Sequence, residues 1–238
     1  VPIAGKTLLE WQLQAIAACN VKDVTIVTGF QGRSVAASLQ LTSLSLSTNY
    51  VFNPFYSVAD NIGSCWAARD LLRSDAVLIN GDTLFDPLIL SRLLREAEKP
   101  ITVTIDRKVH YDDDDMKIKT SGQLLERIGK KLTGRIDGES IGMLRFKDHG
   151  GSLFVDTMED LLHDPASLHK WYLSIIDRLA PTGEVGVLSI EGALWQEVDF
   201  PSDLSSASEC VRKIKWPLSD ETGDASAVMS NNFQLGQL

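Results

Sequence analysis

Cysteine is scarce: three in 238 residues, Cys19, Cys65 and Cys210, an odd number with no short spacing between them. That excludes a disulfide framework and the paired-thiolate zinc patterns, and it suits a reducing compartment. Histidine is sparse too, and His110, His149, His163 and His169 stand at spacings that make no zinc site. No Gly-x-Ser-x-Gly elbow occurs, so serine-hydrolase chemistry has no support. Positive charge is in deficit: 23 Lys and Arg against 32 Asp and Glu leave a formal net charge of −9. Such a balance argues against nucleic acid or an anionic membrane as partner, but not against a small phosphorylated ligand held through a metal. No apolar run approaches the roughly 18 residues of a membrane span. No signal-peptide pattern opens the chain, and cytoplasm is the expected compartment. No internal repeat is found.

What is present suits a large α/β domain: 44% of residues are hydrophobic and 23% charged. Ala76-Val-Leu-Ile79 is a bare apolar run, the signature of a strand buried on both faces. Further strands are expected at Val24–Val27, Ile101–Ile105 and Glu184–Ile190, and they alternate with helical stripes. The first stripe runs from Leu8 to about Cys19, opened by a capping box of Thr7 and Glu10. Further helices are expected at 33–41, from Gly63 to Leu72, from Asp86 or Pro87 to Ala97, at 152–163 and at 168–179. Short strands at 116–119, 123–128 and 140–146 read as a meander, and the Asp112–Asp115 run as a solvated loop. After Trp216 no periodicity remains, and the tail is expected to be disordered. Helix and strand alternation indicates a doubly wound α/β fold.

Two carboxylates stand out. Asp82 follows Asn80-Gly81 just past the end of the Ala76 strand, where open α/β sheets bind ligands. Asp199 lies in Trp195-Gln-Glu-Val-Asp199. Together they suit one Mg²⁺ held against a phosphate, since Mg²⁺ takes one or two carboxylates plus substrate oxygens. Each has a plainer reading, Gly81-Asp82 as a turn and Asp199 as an acid near a helix start. The Asp60-Asn61 pair before Gly63 and Ser64 suits close approach by a base or phosphate, or simply an Asn cap. Trp171, beside Tyr172, is the candidate wall of a cation-binding aromatic box, or a core residue.

Three patterns stand together: Pro2-Ile-Ala-Gly-Lys-Thr-Leu-Leu-Glu10, Ile79-Asn-Gly-Asp82, and Trp195-Gln-Glu-Val-Asp199 followed by Asp203-Leu204. In that order the chain resembles the sugar-nucleotide-type nucleotidyltransferases. Asn53-Pro-Phe-Tyr56, Asp60-Asn-Ile-Gly-Ser64, Asp115-Met-Lys117, Ile128-Gly-Lys130 and Ile141-Gly142 resemble the phosphocholine and 2-aminoethylphosphonate cytidylyltransferase branch. The resemblance implies a Rossmann-like, doubly wound mixed sheet over 1–207, with an acceptor-side meander at 106–150 and a tail at 208–238. It implies transfer of CMP from CTP to a phosphocholine-like or aminoalkylphosphonate acceptor, with release of pyrophosphate. Asp82 and Asp199 would hold Mg²⁺, and Gly81, Asn61 and Ser64 would adjoin the nucleotide. Lys117 and Lys130 would meet the acceptor's phosphoryl group, with Asp115 and Trp171 near its other end. Sugar 1-phosphate transfer and non-catalytic nucleotide binding are the alternatives. A homodimer or fusion to a pathway enzyme is compatible with this. The family's opening strand, glycine-rich loop and lysine do not precede Val1. The expectation is therefore a sheet with its first strand missing, raw edges on the two neighbours, and weak or absent turnover.

Overall fold

Thr7 starts the first long helix as the sequence predicts: its hydroxyl accepts the Glu10 amide at 3.2 Å, and Glu10 Oε2 accepts the Thr7 amide at 2.7 Å. Two otherwise orphaned N–H groups are satisfied, a device that stabilises a helix by about 1 kcal/mol. The computed structural model describes residues 2–39, 46–216 and 232–236. In chain order the elements begin β1 (Pro2–Ile3), β2 (Lys6–Thr7), α1 (Leu8–Ala18), β3 (Asp23–Thr28), α2 (Gly32–Leu39) and β4 (Ser47–Phe52). Next come α3 (Ile62–Ala67), α4 (Arg69–Leu72), β5 (Ala76–Asn80), β6 (Thr83–Phe85), α5 (Pro87–Glu96) and β7 (Ile101–Asp106). Then follow β8 (Lys117–Ser121), β9 (Leu124–Ile128), β10 (Gly138–Phe146), α6 (Gly150–Leu162) and α7 (Leu173–Leu179). The last are β11 (Val185–Ser189), β12 (Trp195–Glu197), α8 (Leu204–Lys213) and β13 (Asn232–Gly236).

The main sheet runs β4-β3-β13-β5-β10-β7-β11-β9-β8. Pairings of β3 with β4, of β13 with β3 and β5, and of β7 with β11 are parallel, while β10 lies antiparallel between β5 and β7. Each face of this sheet is covered. One core gathers Leu13, Ile16, Val24, Ile79, Ile89 and Leu90; the other gathers Ile101, Val103, Phe146, Phe154, Ile175 and Ile176. Burial on both faces is why β5 reads as an unbroken apolar run rather than an alternating one, and why the threonines of β7 are buried as well.

The structure corrects four expectations. The slot between β3 and β5 is not open: β13 pairs with both, setting Gly236 beside Val27 and Asn80. The tail therefore contains a sheet strand, while 217–231 and 237–238, also expected to be disordered, lie outside the described residues, as do 40–45. The third strand expected of the meander is the full-length β10, which joins β5 to β7 and meets β8 only through Gly138 and Glu139. The helix expected over 168–179 is broken: a 3₁₀ turn at Pro165–His169 ends in extended backbone at Lys170, and α7 begins at Leu173. Trp171 and Tyr172 thus sit in the break. Finally, α8 crosses residue 207 and packs Ala207, Cys210, Val211 and Ile214 against Ile3, Trp11 and Leu84, so the folded domain extends past the expected boundary. Among the described residues no helix is long and apolar enough to cross a membrane.

Candidate active site

A short two-stranded ribbon builds the site. β12 pairs antiparallel with β6, setting Trp195 opposite Phe85 and Glu197 opposite Thr83. One residue further on, the Val198 amide donates to the Asp82 carbonyl at 3.0 Å. The ribbon carries Glu197 and Asp199 to Asp82, and one carboxylate oxygen from each of the three lies within 4.8 Å of the others. Glu197 and Asp199 are two apart in extended chain and so share a face. Gln12, buried in α1, clamps the turn between β5 and β6, because its Nε2 donates to the carbonyls of Asn80 and Thr83, both at 2.8 Å. The Thr83 hydroxyl lies 3.2 Å from Asp82 Oδ1 and 3.0 Å from the Ile141 carbonyl oxygen. On the other side, Asp203 Oδ2 accepts the amides of Asp199 (3.0 Å) and Phe200 (2.8 Å) and fixes that loop.

The turn is also held from β10. Gly142 has φ +72°, and a Cβ there would stand 2.5 Å from Asn80 Nδ2, so only glycine lets the strand pass the Asn80 carboxamide. The wholly buried Tyr172 donates its hydroxyl to Asn80 Oδ1 at 2.9 Å, and its amide donates to Asn61 Oδ1 at 2.8 Å. Asn61 is thereby spent on positioning, and its side chain makes no helix cap.

Two cavities meet at the carboxylates. The larger, about 630 Å³, is lined by Gly29, Phe30, Tyr56, Ser64 and Gly81 together with Asp82 and Asp199. The smaller, about 330 Å³, shares Asp82 and Asp199 and adds Asn61, Asp115, Lys130, Glu139, Trp171 and Glu197. Its electrostatics are strongly negative. Desolvation and then the nearby Asp199 raise the Asp82 pKa. Glu197 is exposed as a residue, yet its carboxylate end is desolvated in the crevice; that and then Asp82 and Asp199 push its pKa up to about 7. Lys108 Nζ bridges Asp115 (2.7 Å) and Glu139 (2.8 Å). Burial pushes Glu139 up to about 7 despite that lysine. For Asp115 desolvation is outweighed by hydrogen bonds from Lys108, Glu139 and the Asp112 amide, and its pKa is lowered. The acid run is therefore folded around Asp115, not simply solvated: Asp112 Oδ1 accepts the Asp114 amide at 2.9 Å.

The candidates from sequence divide as follows. Asp82 and Asp199 come together, Gly81 and Ser64 line the larger cavity, and Asn61, Asp115, Lys130 and Trp171 line the smaller. Lys117 is buried, does not line either cavity, and donates Nζ to the Lys130 carbonyl at 2.9 Å. Glu197, Glu139, Lys108 and Gln12 were not expected, and Tyr172, expected with Trp171 as an aromatic box, is instead buried and bonds Asn61 and Asn80. Signals existed for two of the unexpected ones: Glu197 stands at i−2 from Asp199, and Gln12 is a polar residue on the apolar stripe of α1.

No protein-family model matches the chain. It is 26% identical over 214 residues to the CMP-5'-(3-aminopropyl)phosphonate synthase of Streptomyces rubellomurinus, covering 87% of this chain and 34% of that protein. It is 28% identical over 229 residues to the bifunctional IPC transferase and DIPP synthase of Rubrobacter xylanophilus, covering 94% of this chain and 49% of that one. The chain thus spans less than half the length of either relative. In fold it is similar to the inositol-1-phosphate CTP transferase from T. maritima, with TM-score 0.72, 16% identity, and 90% and 87% of the two chains covered. Against the CTP:phosphocholine cytidylyltransferase from Streptococcus pneumoniae the TM-score is 0.70, with 14% identity and 89% and 88% covered. The chain is thus similar in sequence to these two relatives and in fold to these two CTP-using transferases, in agreement with its resemblance to the sugar-nucleotide-type nucleotidyltransferases.

Proposed function

We propose that the chain is a Mg²⁺-dependent cytidylyltransferase domain that moves CMP from CTP to a small phosphonate or phosphate acceptor bearing an amine. The observation that carries this is the meeting of two cavities at Asp82 and Asp199. The larger suits a nucleotide, and the smaller an acceptor delivered to its α-phosphate.

The carboxylates suit a divalent ion. Three like-charged oxygens converge within 4.8 Å, and hard oxygen donors are what Mg²⁺ prefers. Asp82 and Asp199 would hold it because both cavities share them. When bound, the metal neutralises charge on the phosphates and polarises the reacting phosphoryl group. The chain's own residues do the positioning: the β6–β12 ribbon, Gln12 and Asp203 fix the two carboxylates before substrate arrives, so little reorganisation is needed at the moment of reaction. An acceptor oxygen, already ionised near neutral pH, attacks the α-phosphorus. A new P–O bond forms, the bond to the bridging oxygen breaks, and pyrophosphate leaves with that electron pair. Lys130 supplies positive charge from the wall of the smaller cavity, and Lys117 holds Lys130 by its carbonyl.

The acceptor's class follows from charge. The carboxylates of Asp114, Asp115, Glu139 and Glu197 in the lining of the smaller cavity outnumber Lys108 and Lys130, the lysines that pair with them. That excess favours a cationic head over the neutral hydroxyls of a sugar 1-phosphate. The amino group named in the Streptomyces relative agrees with this. The test is pyrophosphate release from CTP and Mg²⁺ with 2-aminoethylphosphonate, phosphocholine or a sugar 1-phosphate. It is run on this chain. Release with an amine-bearing acceptor, abolished by Asp82→Asn or Asp199→Asn, supports the proposal. Release only with the sugar phosphate, or none with any acceptor, refutes it.

A further inference from the structure

The Lys130 ammonium stacks 4.1 Å above the centre of the Trp171 ring. The pose is held at two further points: Asp114 Oδ1 lies 3.7 Å from Nζ, and Lys117 grips the Lys130 carbonyl at 2.9 Å. Both Lys130 and Trp171 line the smaller active-site cavity and also a third cavity of about 370 Å³ behind it. The stacked pair, with Met116 and Leu173, lines both.

This has a chemical consequence for the acceptor, resting on the cytidylyl-transfer reading. A trimethylammonium head has no N–H to donate, so it is recognised by aromatic faces with several rings around it. A primary ammonium carries three donors and is recognised by carboxylates. In this cavity an internal cation already covers Trp171. Of the other two rings on the wall, Phe200 is 65% exposed at the rim, and Trp195 is anchored by its indole N–H to Asp106 Oδ2 at 2.7 Å. One anchored ring does not make a box. Carboxylates, by contrast, dominate the lining: Asp115 and Glu139 already pair with the Lys108 ammonium, and Asp114 and Glu197 line the cavity as well.

We propose that Lys130, by covering Trp171, makes this cavity selective for acceptors with a primary ammonium over those with a trimethylammonium head. Lys130 is then a specificity residue in addition to its electrostatic part. Removing it uncovers the aromatic face, which gives the bulkier head a surface to pack on.

The experiment measures equilibrium binding of 2-aminoethylphosphonate and of phosphocholine by calorimetry, with Mg²⁺ and without nucleotide. The ratio of the two dissociation constants is compared across variants, which cancels any general loss of charge. The wild type is expected to favour 2-aminoethylphosphonate. Lys130→Ala should shift the ratio about tenfold toward phosphocholine, between the sizes of an exposed and a desolvated cation–π contact. Adding Trp171→Leu to Lys130→Ala should cancel that shift, which a merely structural role for Lys130 would not. A wild type that prefers phosphocholine, a ratio unmoved by Lys130→Ala, or no binding of either compound overturns the inference. The expected ratios without pyrophosphate release would defeat only the cytidylyl-transfer reading.

Discussion

Val198 donates its amide to the Asp82 carbonyl at 3.0 Å, and this one bond extends the β6–β12 ladder to the point where the two candidate metal ligands meet. The geometry of Asp82 and Asp199 is thus set by backbone pairing. Val198→Pro deletes the donor while keeping a small apolar side chain. Displacing Asp199 by about 1 Å should cost on the order of 100-fold in kcat, with a far smaller change in stability. Steady-state kinetics beside thermal unfolding separates the two; an unchanged kcat would remove the ribbon from the account.

Gly142 answers to Asn80. Gly142→Ala places a Cβ 2.5 Å from the Asn80 carboxamide at a φ of +72°, and should cost about 2–4 kcal/mol from backbone strain and overpacking. In an Asn80→Ala background the carboxamide clash is removed and only the Cβ contact at 2.9 Å and the backbone strain remain, so the double-mutant cycle should show coupling of about 1 kcal/mol or more. Urea unfolding of the four chains measures it. Additive costs would mean that Asn80 is not what Gly142 makes room for.

Glu139 gives a pH signature. Its pKa in the folded chain, pushed up to about 7 by burial, stands above its value of 4.5 in an unfolded chain. Between those values the folded state binds more protons, so this residue makes stability fall as pH rises from about 4.5 to 7. Glu139→Gln mimics the neutral form and removes that slope. The variant should match the wild type near pH 5 and melt higher above pH 7, with Asp115 left to hold Lys108. Equal melting differences at pH 5 and pH 8 would contradict the assignment.

The central slot makes β13 a structural strand. Deleting 232–238 leaves β3 and β5 with unpaired inner edges. Melting temperature should fall by about 10 °C, several kcal/mol for a chain of this size. Amides of Val24–Val27 and Val77–Ile79 that point into the slot should lose hydrogen-exchange protection. Unchanged melting and protection would show that the slot is filled otherwise.

What was legible in the sequence was local. Thr7 with Glu10, Asp86 with Pro87, and the apolar run of β5 each announce an element through neighbours in the chain. Asp82 and Asp199 were legible because each closes a short motif at the end of a strand. What stayed hidden depends on distant pairing. β13 is a five-residue Asn-Phe-Gln-Leu-Gly segment, too short to stand out from an aperiodic tail, and only its two neighbours make it a strand. Glu139 looked like one acid among many, because its meeting with Lys108 and Asp115 needs β10 to pair with β8 at Lys117. The same distance explains Tyr172, whose function lies in bonds to Asn61 and Asn80 from a break between helices.

The central claim is that Asp82 and Asp199 together hold the divalent ion that joins nucleotide to acceptor. Its most direct test is a Mn²⁺ titration in the presence of CTP, followed by electron paramagnetic resonance, on the wild type, Asp82→Asn and Asp199→Asn. The account predicts a protein-bound Mn²⁺–CTP signal in the wild type, weakened at least about tenfold by either substitution, consistent with loss of a charged ligand worth more than about 1.4 kcal/mol. A wild type that leaves Mn²⁺–CTP free in solution, or variants that bind it as tightly, would contradict it.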